Sequence, residues 1–554
     1  MAKEAGRGVQ YARADKEYFE KRGLARYAGV WSLWALGVGA VISGHFSGWN
    51  YGFATGGFGG MLVAALIIAL MYLGLVFCIA EMSPALPHTG AAYSFARTAM
   101  GPWGGFVTGL CENVEYVVTP TVIAYFIGTY LNGIIATMGL EPLWPPWCWI
   151  ATFIVFLLLN ILGVALSFRV TLIVTLLSLA ILIVFWISAL PNVDLNAWAL
   201  NLAAAPQSAS IPLSVIAQEI TRLPAGVQAA IAAAQTAQAT EVALTMEQYS
   251  LLPLALQQQA ATSSLLQGGG GPWFPFGWKG TLKTLPFAVW LFLAIEQLPL
   301  AAEESVDPRR DMPRGILLGM LTLCVSAFMI VILNPSVAGV GSHLLATSDE
   351  PLLEGFRAIY GGEAVVLLGL IALTGLIASF HTILYAMGRQ VYSLSRAGYF
   401  PSALSVTGAR LKTPYVAMIL GSIAGLGLMF FVYEYAGEAL IGTTLLNMAV
   451  FGAMFSYILQ ALSFILLRIR HPDIARPYQS PFGIPGALFT IAIAAVTLYY
   501  QLGDSAYQQG VYWVLGWFAV GLLYFTLIGR KRLILSPEEE FALEHRTKAD
   551  DRSP

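Results

Sequence analysis

The sequence predicts an all-α protein that crosses a membrane about twelve times, and three observations lead to this fold class. Only 11% of the 554 residues are charged, whereas soluble domains carry about 25%. The mean hydropathy is +0.70. Apolar runs of about 20 residues, the length that a bilayer requires, recur along the chain. The net charge of −2 gives no reason to expect a nucleic-acid partner, so the lipid bilayer is the predicted surrounding.

The apolar runs define twelve predicted spans, which we number in chain order: 28–53, 59–82, 102–132, 147–166, 170–190, 284–302, 314–338, 362–390, 413–433, 439–468, 485–502 and 511–529. If the N-terminus is cytoplasmic and the spans alternate in direction, 25 of the 29 Lys and Arg residues fall on the cytoplasmic side. The positive-inside rule demands this asymmetry. The sequence therefore predicts a multi-pass protein of the cytoplasmic membrane with both termini cytoplasmic. Residues 1–27 contain no apolar run of the kind a cleavable signal peptide requires.

The spans and the polar segments between them predict the following domain organisation: a cytoplasmic N-terminal segment 1–27, a first repeat of spans 1–5 at 28–190, an extracytoplasmic loop at 191–283, an inverted repeat of spans 6–10 at 284–468, spans 11–12 at 469–529 and a cytoplasmic tail 530–554. Within the loop, residues 203–271 are rich in Ala and Gln and too polar to cross a membrane. We expect this insert to be poorly ordered or to form short amphipathic helices. The alternatives are a partner surface or a segment foreign to the rest of the protein.

Two spans carry backbone defects at corresponding places. Span 1 contains 37-GVGAVISGHFSGWN-50, and span 6 contains 291-LFLAIEQLPL-300. Pro299 has no N–H and clashes with the carbonyl of Ile295, so one carbonyl must face protein, water or ligand. Interrupted helices that begin each of two halves indicate the central site of a transporter built as an inverted repeat. The alternative is that both are packing kinks, since glycine is common in membrane helices.

Three carboxylates fall inside predicted spans, away from the span ends: Glu112 and Glu115 in span 3, and Glu296 in the span 6 defect. A charge at mid-bilayer costs about 2.5–3.5 kcal/mol on insertion scales, so these groups should face the interior. Every Lys and Arg lies in a loop or near a span end, so the carboxylates suit a cationic ligand. Trp290 could offer an aromatic face to an ammonium group. Alternatively, Glu296 accepts hydrogen bonds from its own break, Glu112 holds a neighbouring helix and Trp290 is packing.

Other chemistry finds little support in the sequence. The four cysteines form no CxxC pair, and the six histidines are scattered without metal-ligand spacing. There is no nucleotide-binding loop and no nucleophile–base constellation. The sequence thus predicts a protein that is not an enzyme and has no cofactor or resident metal.

Several motifs identify a family resemblance. The segments 81-EMSPALPHTGAAYSFAR-97, 301-AAEESVDPRRDMPRGI-316, 388-GRQVYSLSRAGYFP-401 and 476-RPYQSPFGIPG-486 resemble those of the amino acid–polyamine–organocation (APC) superfamily. The segments 43-SGHFSGWNYG-52, 56-GGFGGM-61 and 112-ENVEYVVTP-120 are similar to the ethanolamine permease versions. The resemblance implies a five-plus-five inverted repeat of the LeuT-like (APC) fold with discontinuous helices 1 and 6. It also implies alternating access.

Site residues follow from the resemblance, position by position. It implies a substrate contact at Ile42, Ser43, Gly44, Glu115, Tyr116, Trp290 and Glu296. His45 in the span 1 break and Ile295, whose carbonyl Pro299 frees, complete the predicted substrate-binding residues. His45 is a departure, because ethanolamine permeases usually have an acidic residue there; it either titrates near neutrality or packs. Glu115 is the most telling position, since an anion in the pocket would repel the carboxylate of an amino acid.

The coupling ion, H⁺ or Na⁺, stays open at this point. Proton candidates are Glu112, Glu115 and His45. Thr374 and Ser379 in span 8 could ligate sodium, although hydroxyls in membrane helices usually bond to their own chain. The sequence predicts import of ethanolamine or a similar small cationic amine. An amino acid permease of the same fold is the first alternative, and an amine sensor or channel is the second. The sequence does not set the oligomeric state.

Overall fold

The structure is a computed structural model that describes residues 3–550 apart from 6–7, 13, 201–207, 217–222, 246–247, 249–251, 253–255, 257–260, 264–270, 438–439 and 504. Within this part of the chain, ten helices are long and apolar enough to cross a membrane. Two shorter apolar helices, Val30–His45 and Pro145–Ile161, stand where spans 1 and 4 are predicted. The predicted all-α polytopic fold is confirmed.

The spans keep their numbers and have the following bounds: span 1 Val30–Val41 continued by the 3₁₀ turn Ile42–His45, span 2 Gly52–Ala85, span 3 Pro102–Thr137, span 4 Pro145–Ile161, span 5 Val164–Ala189, span 6 Gly277–Lys283, Leu285–Trp290 and Ile295–Glu304, span 7 Pro308–Ser336, span 8 Gly362–Arg396, span 9 Tyr415–Ala436, span 10 Ile441–Arg470, span 11 Gly483–Gly503 and span 12 Ser505–Leu527. Shorter helices between and beyond them are Lys16–Glu20, Ala91–Met100, Leu213–Ile216, Ala225–Thr236, Gly341–Thr347, Pro351–Tyr360 and Pro537–Asp550.

Burial separates inner spans from outer ones. The most apolar stretch of span 6 is wholly buried and that of span 3 is 78% buried, whereas span 12 is only 17% buried. Outer spans expose large apolar side chains such as Leu523, which is 60% exposed. A helix satisfies its own backbone, so such a surface is stable in lipid. Spans 3 and 6 therefore form the centre of the bundle.

Span 1 is interrupted where its sequence predicts a break. The regular helix ends at Val41, and the tighter turn Ile42–His45 follows. Gly48 then adopts φ +93°, which L side chains rarely reach, and the chain turns there. A short outer segment begins at Trp49, and the chain kinks at Gly57 before the long part of span 2.

Span 6 is interrupted between Trp290 and Ile295. Ala294 has φ +82° and ψ +7°, a left-handed conformation that costs a non-glycine residue about 1–3 kcal/mol and is held by its surroundings. The turn lies five residues before Pro299, which itself sits in the following 3₁₀ segment. The two breaks touch each other: a Cβ on Gly44 would lie 2.2 Å from the carbonyl oxygen of Trp290. Only glycine allows this approach.

The insert between spans 5 and 6 contains strands, which the expectation of disorder or short helices misses. Strand β3 (Ser208–Pro212) pairs antiparallel with both β4 (Glu241–Thr245) and β5 (Ala261–Ser263). The helix Ala225–Thr236 confirms the helical part of the expectation. Within the described residues these elements share an apolar cluster: Ile211, Ile216, Leu223, Val227, Ile231, Val242, Leu244, Leu252 and Leu256. Val242 and Leu244 are buried at alternating positions, which is the pattern of a half-buried strand.

Both chain ends lie on one side of the bundle, which we call the terminal face. Strand β1 (Lys3–Ala5) pairs antiparallel with β2 (Val9–Ala12), and β2 pairs in parallel with β6 (Leu533–Ile534). The opposite side, with the insert, is the loop face. An even number of spans requires this arrangement of the termini. The orientation of the terminal face towards the cytoplasm and the boundaries of the two repeats stay predictions.

Candidate functional site

Two carboxylates meet at the centre of the bundle. The carboxyl groups of Glu115 on span 3 and Glu296 at the span 6 break lie side by side, close enough to interact. Both side chains are at most 2% exposed. Two ionised carboxylates only accept hydrogen bonds, so their contact requires a proton or a cation between them. The geometry therefore makes this pair a binding place for positive charge.

Four aromatic residues surround the pair. The Tyr457 hydroxyl donates to Glu115 Oε1 at 3.3 Å, and the hydroxyls of Tyr457 and Tyr72 are 3.0 Å apart. The Phe292 ring lies 5.6 Å from that of Tyr72, centroid to centroid. Tyr116 contacts Glu296 from the next position of span 3. This wall has the apolar faces and hydroxyl tips that suit a small ammonium compound.

Several polar atoms of this group lack a well-formed hydrogen bond among the described residues: Glu115 Oε2, both carboxyl oxygens of Glu296 and the hydroxyl of Tyr116. The amides of Ala294 and Glu296 lie near the Glu296 carboxyl, as the alternative of a self-capped break suggests, but their geometry is poor. Buried polar groups are normally satisfied. A cluster of unsatisfied acceptors is therefore a site at which a donor binds.

Glu112 does not join the pair by a hydrogen bond. Its Oε2 accepts from Gln390 Nε2 of span 8 at 2.8 Å, while Oε1 is unsatisfied among the described residues. This hydrogen bond to Gln390 supports the alternative in which Glu112 holds a neighbouring helix. Glu112 lies three positions before Glu115 on the same helix, which places it within electrostatic reach of the pair.

Three buried arginines are committed to other carboxylates. Arg389, one position before Gln390, binds Glu304 at 3.0 Å, and Arg396 binds Glu303 at 2.5 Å. Arg97 pairs with Glu539. In the described part of the chain, no salt bridge reaches Glu112, Glu115 or Glu296. Among the described residues, no cation therefore compensates the carboxylates of the site.

The span 1 break supplies backbone to the same region, but its amides are partly used. The Ser43 amide donates to Ser379 Oγ at 2.8 Å, and this hydroxyl donates to the Gly39 carbonyl at 2.7 Å. The Ser43 carbonyl accepts from the amides of Phe46 and Ser47. Ile42 is wholly buried, and Gly44 packs on Trp290. A serine of span 8 thus replaces the helical partners that the break removes.

His45, Trp290 and Ile295 lie at the contacts between spans. The His45 ring nitrogens bond to the Leu291 carbonyl at 3.0 Å and to the Ser326 hydroxyl at 2.8 Å. The Trp290 indole donates to the Ser47 carbonyl at 2.9 Å. The Ile295 side chain packs towards Gly37 and Gly319. Both nitrogens of His45 are occupied, which favours the packing interpretation that the sequence left open for it.

The two sodium candidates do not converge. Thr374 Oγ1 donates to the Ile371 carbonyl of its own helix at 2.6 Å. Ser379 is engaged by span 1, five positions further along the same helix. Back-bonding of the first hydroxyl leaves one candidate ligand near the break. Thr374 and Ser379 therefore do not come together as a sodium site.

Sequence reasoning missed Tyr72, Phe292, Gln390 and Tyr457. A neutral polar or aromatic residue in an apolar span carries no charge that forces it inward, so the sequence alone does not distinguish a site residue from packing. The one available signal was position. Phe292 lies inside the span 6 break, and Gln390 lies next to Arg389 in an otherwise apolar helix.

On the loop face, a hydrogen-bonded network, which we call the seal, ties span 3 and the segment after the span 1 break to the loop before span 8. The Asp349 carboxylate accepts from the hydroxyls of Tyr51 and Tyr125, the latter at 2.7 Å. Asn50 donates to the carbonyls of Leu345 and Ser348 at 2.6 and 2.7 Å. A cavity of about 370 Å³ lies beside this seal and is lined by Tyr125 and Glu350. The tip of the broken span 1 is thus tied to the loop before span 8.

A bundle of twelve spans, broken at corresponding places around uncompensated carboxylates, is the architecture of a membrane transporter. The chain belongs to the amino acid permease family, which it matches over residues 29–520. It is 22% identical to the methylthioribose transporter of Bacillus subtilis over 93% of this chain and 96% of that one. It is also 22% identical to the branched-chain amino acid permease BcaP of the same organism, over 92% and 94% of the two chains. An uncharacterised transporter of Rhizobium meliloti is 23% identical over 86% and 87%. The protein is a multi-pass transporter of the APC superfamily and not an enzyme, as the sequence predicts.

Proposed function

We propose that this transporter imports ethanolamine or a similar small cationic amine across the cytoplasmic membrane by alternating access. The observation that carries the proposal is the contact between Glu115 and Glu296 in a site that no described lysine or arginine neutralises. An amine carries one positive charge and no carboxylate. Such a ligand satisfies the pair without introducing an anion beside it.

In the proposed complex the ammonium binds between Glu115 and Glu296, with Tyr72 and Tyr457 as the aromatic wall. The ammonium has three donors, and the pair offers at least three unsatisfied acceptor oxygens. The substrate hydroxyl is proposed to reach the backbone at Ser43 and Gly44. This contact requires the bond from the Ser43 amide to Ser379 to open first.

We propose proton coupling through the same pair. The sequence singled out Glu112 and Glu115 for this role, whereas the carboxyl group that lies next to Glu115 is that of Glu296. Without substrate, a proton shared by the two carboxyl groups relieves their repulsion. Symport requires that one carboxyl group of this cluster keep a proton while the ammonium binds, so that substrate and proton cross together. Sodium coupling is less well supported, because Thr374 bonds to its own helix.

The second candidate is an amino acid permease, and the relatives favour it: BcaP of Bacillus subtilis is named for branched-chain amino acids. An amino acid would bring a carboxylate next to Glu115 and Glu296. The two candidates therefore differ in competition. If added alanine or leucine inhibits transport by this protein and added ethanolamine does not, the amino acid permease is the correct candidate.

The test is uptake of radiolabelled ethanolamine into proteoliposomes, with proton and sodium gradients imposed separately. We expect uphill accumulation driven by the proton gradient. Accumulation with sodium alone would overturn the proposed coupling, and binding without accumulation would indicate a sensor or channel. A C-terminal tag resistant to protease added outside right-side-out vesicles would test the proposed cytoplasmic termini.

A further inference from the structure

The C-terminal segment carries two glutamates that its polar sequence does not predict to be buried. The segment 537-PEEEFALEHR-546 has the composition of a solvated helix, but Glu538 is 1% exposed and Glu539 is wholly buried. Strand β6, just before this helix, pairs with β2 from the N-terminal segment. The Leu533 to Asp550 segment, which we call the C-terminal latch, is therefore docked on the terminal face.

Glu539 is held by three donors from separate parts of the chain. Its Oε2 accepts from Arg97 Nε and from the Tyr11 hydroxyl at 2.7 Å, and its Oε1 accepts from the Tyr399 hydroxyl at 3.2 Å. Arg97 is 1% exposed on the helix between spans 2 and 3. Both oxygens are engaged, so the carboxylate is the neutralising partner of a buried arginine rather than a solvated charge.

Glu538 connects the latch to the broken helix. It binds Arg396 at the end of span 8, and the same guanidinium donates to both carboxyl oxygens of Glu303, at 2.8 and 2.5 Å. Glu303 lies in the last turn of the broken span 6, whose other end forms the site. A single guanidinium thus joins the C-terminal latch, span 8 and span 6.

The same region of span 8 is tied to span 6 once more. Glu304 accepts from Arg389 at 3.0 Å and from Tyr385. Access from the terminal face requires the end of span 6 to separate from span 8. The contacts of Glu303 and Glu304 oppose that separation, and the latch strengthens the first of them by fixing Arg396.

We propose that the C-terminal latch is an autoinhibitory element that holds the terminal-face exit of the transporter closed. A segment that docks only when spans 6 and 8 are together favours the closed state by its own docking free energy. Removal of the Glu538 or Glu539 charge leaves Arg396 or Arg97 with less compensation. The latch then releases, and the exit opens more often. Modification or binding of the tail would change the transport rate without touching the substrate site.

The test compares the variants Glu538→Gln and Glu539→Gln with the control Glu540→Gln. Glu540 is exposed on the same helix, so its variant has the same change in charge without a buried partner. Hydrogen–deuterium exchange is measured on the full-length protein in nanodiscs without substrate. We expect exchange at residues 295–304 and 389–396 to be about tenfold faster in the two latch variants and unchanged in Glu540→Gln.

A C-terminal latch that only stabilises the fold would give a different result. In that case hydrogen–deuterium exchange rises only in the latch itself, and exchange at residues 295–304 matches that of the control. This outcome overturns the proposal. If Glu539→Gln does not fold, Glu538→Gln decides, because it removes one of two carboxylates on Arg396 and keeps Glu303. A latch variant that opens residues 295–304 should also raise the maximal uptake rate at least twofold with KM unchanged. Since the exchange measurement needs no substrate, it stands apart from the choice of amine.

Discussion

The contact between the two broken spans predicts the effect of one methyl group. In Gly44→Ala the new Cβ would lie 2.2 Å from the Trp290 carbonyl oxygen and 3.1 Å from its carbon. Real Cβ atoms do not approach backbone oxygen below 3.0 Å, so the two breaks must separate by nearly 1 Å. Neither neighbour is a flexible side chain. Overpacking of this kind costs about 1–3 kcal/mol, which for a chain of this size lowers the melting temperature by roughly 1–3 °C.

Function should suffer more than stability, because the displaced break forms the site. We expect uptake by Gly44→Ala to fall at least about tenfold, as a 1.4 kcal/mol misplacement of the binding groups would produce. The control is Gly427→Ala in span 9, where no atom lies within 4 Å of the added Cβ and alanine favours the helix. The assays are thermal unfolding of the purified protein and uptake in proteoliposomes. Equal melting temperatures and equal uptake for both variants would refute the close approach of the breaks.

Three further predictions concern single side chains. Burial raises the pKa of Glu350 to about 7, so between pH 4.5 and 7 the folded state keeps a proton that the unfolded state has lost. The free energy of unfolding should therefore fall as pH rises through this range, by at most about 3 kcal/mol. In Glu350→Gln the melting temperature should depend less on pH, and an unchanged slope would contradict the prediction. Tyr457→Phe removes the donor to Glu115 and should weaken ethanolamine binding about three- to tenfold, with the melting temperature nearly unchanged. The control Tyr499→Phe changes an exposed tyrosine of span 11 and should bind ethanolamine like the wild type. Gln390→Leu leaves the buried Glu112 without its donor and should lower the free energy of unfolding by about 1–3 kcal/mol, as measured by chemical denaturation. Gln390→Glu also removes this donor. Unchanged stability of Gln390→Glu would count against the hydrogen bond between Gln390 and Glu112.

The sequence predicted the features that one residue or one segment determines by itself. The twelve spans follow from runs of apolar side chains, and the two breaks follow from glycine and proline in helices that must otherwise bond their own backbone. Glu115 and Glu296 could be named because a charge in lipid is costly and forces itself inward. Each of these signals is local.

The features that the sequence did not reveal depend on partners far along the chain. The donor to Glu115 is 342 positions away, and tyrosine occurs 24 times in the sequence. The pairing of Glu115 with Glu296 rather than Glu112 depends on the approach of spans 3 and 6, not on helical spacing. In the same way, the burial of Glu539 depends on Arg97, and nothing in the tail's composition indicates it. Strands β3 to β5 were missed because an Ala- and Gln-rich stretch favours helix locally, while the sheet forms by long-range pairing.

The central claim is that the uncompensated carboxylates at Glu115 and Glu296 bind an ammonium group. Equilibrium binding of radiolabelled ethanolamine to purified protein tests it most directly, with wild type, Glu115→Gln and the exposed control Glu540→Gln in parallel. Loss of a buried charge partner costs about 2–5 kcal/mol, so Glu115→Gln should bind at least about 30-fold more weakly while the control matches the wild type. Wild-type affinity in Glu115→Gln, or displacement of the label by leucine as readily as by ethanolamine, would contradict the account.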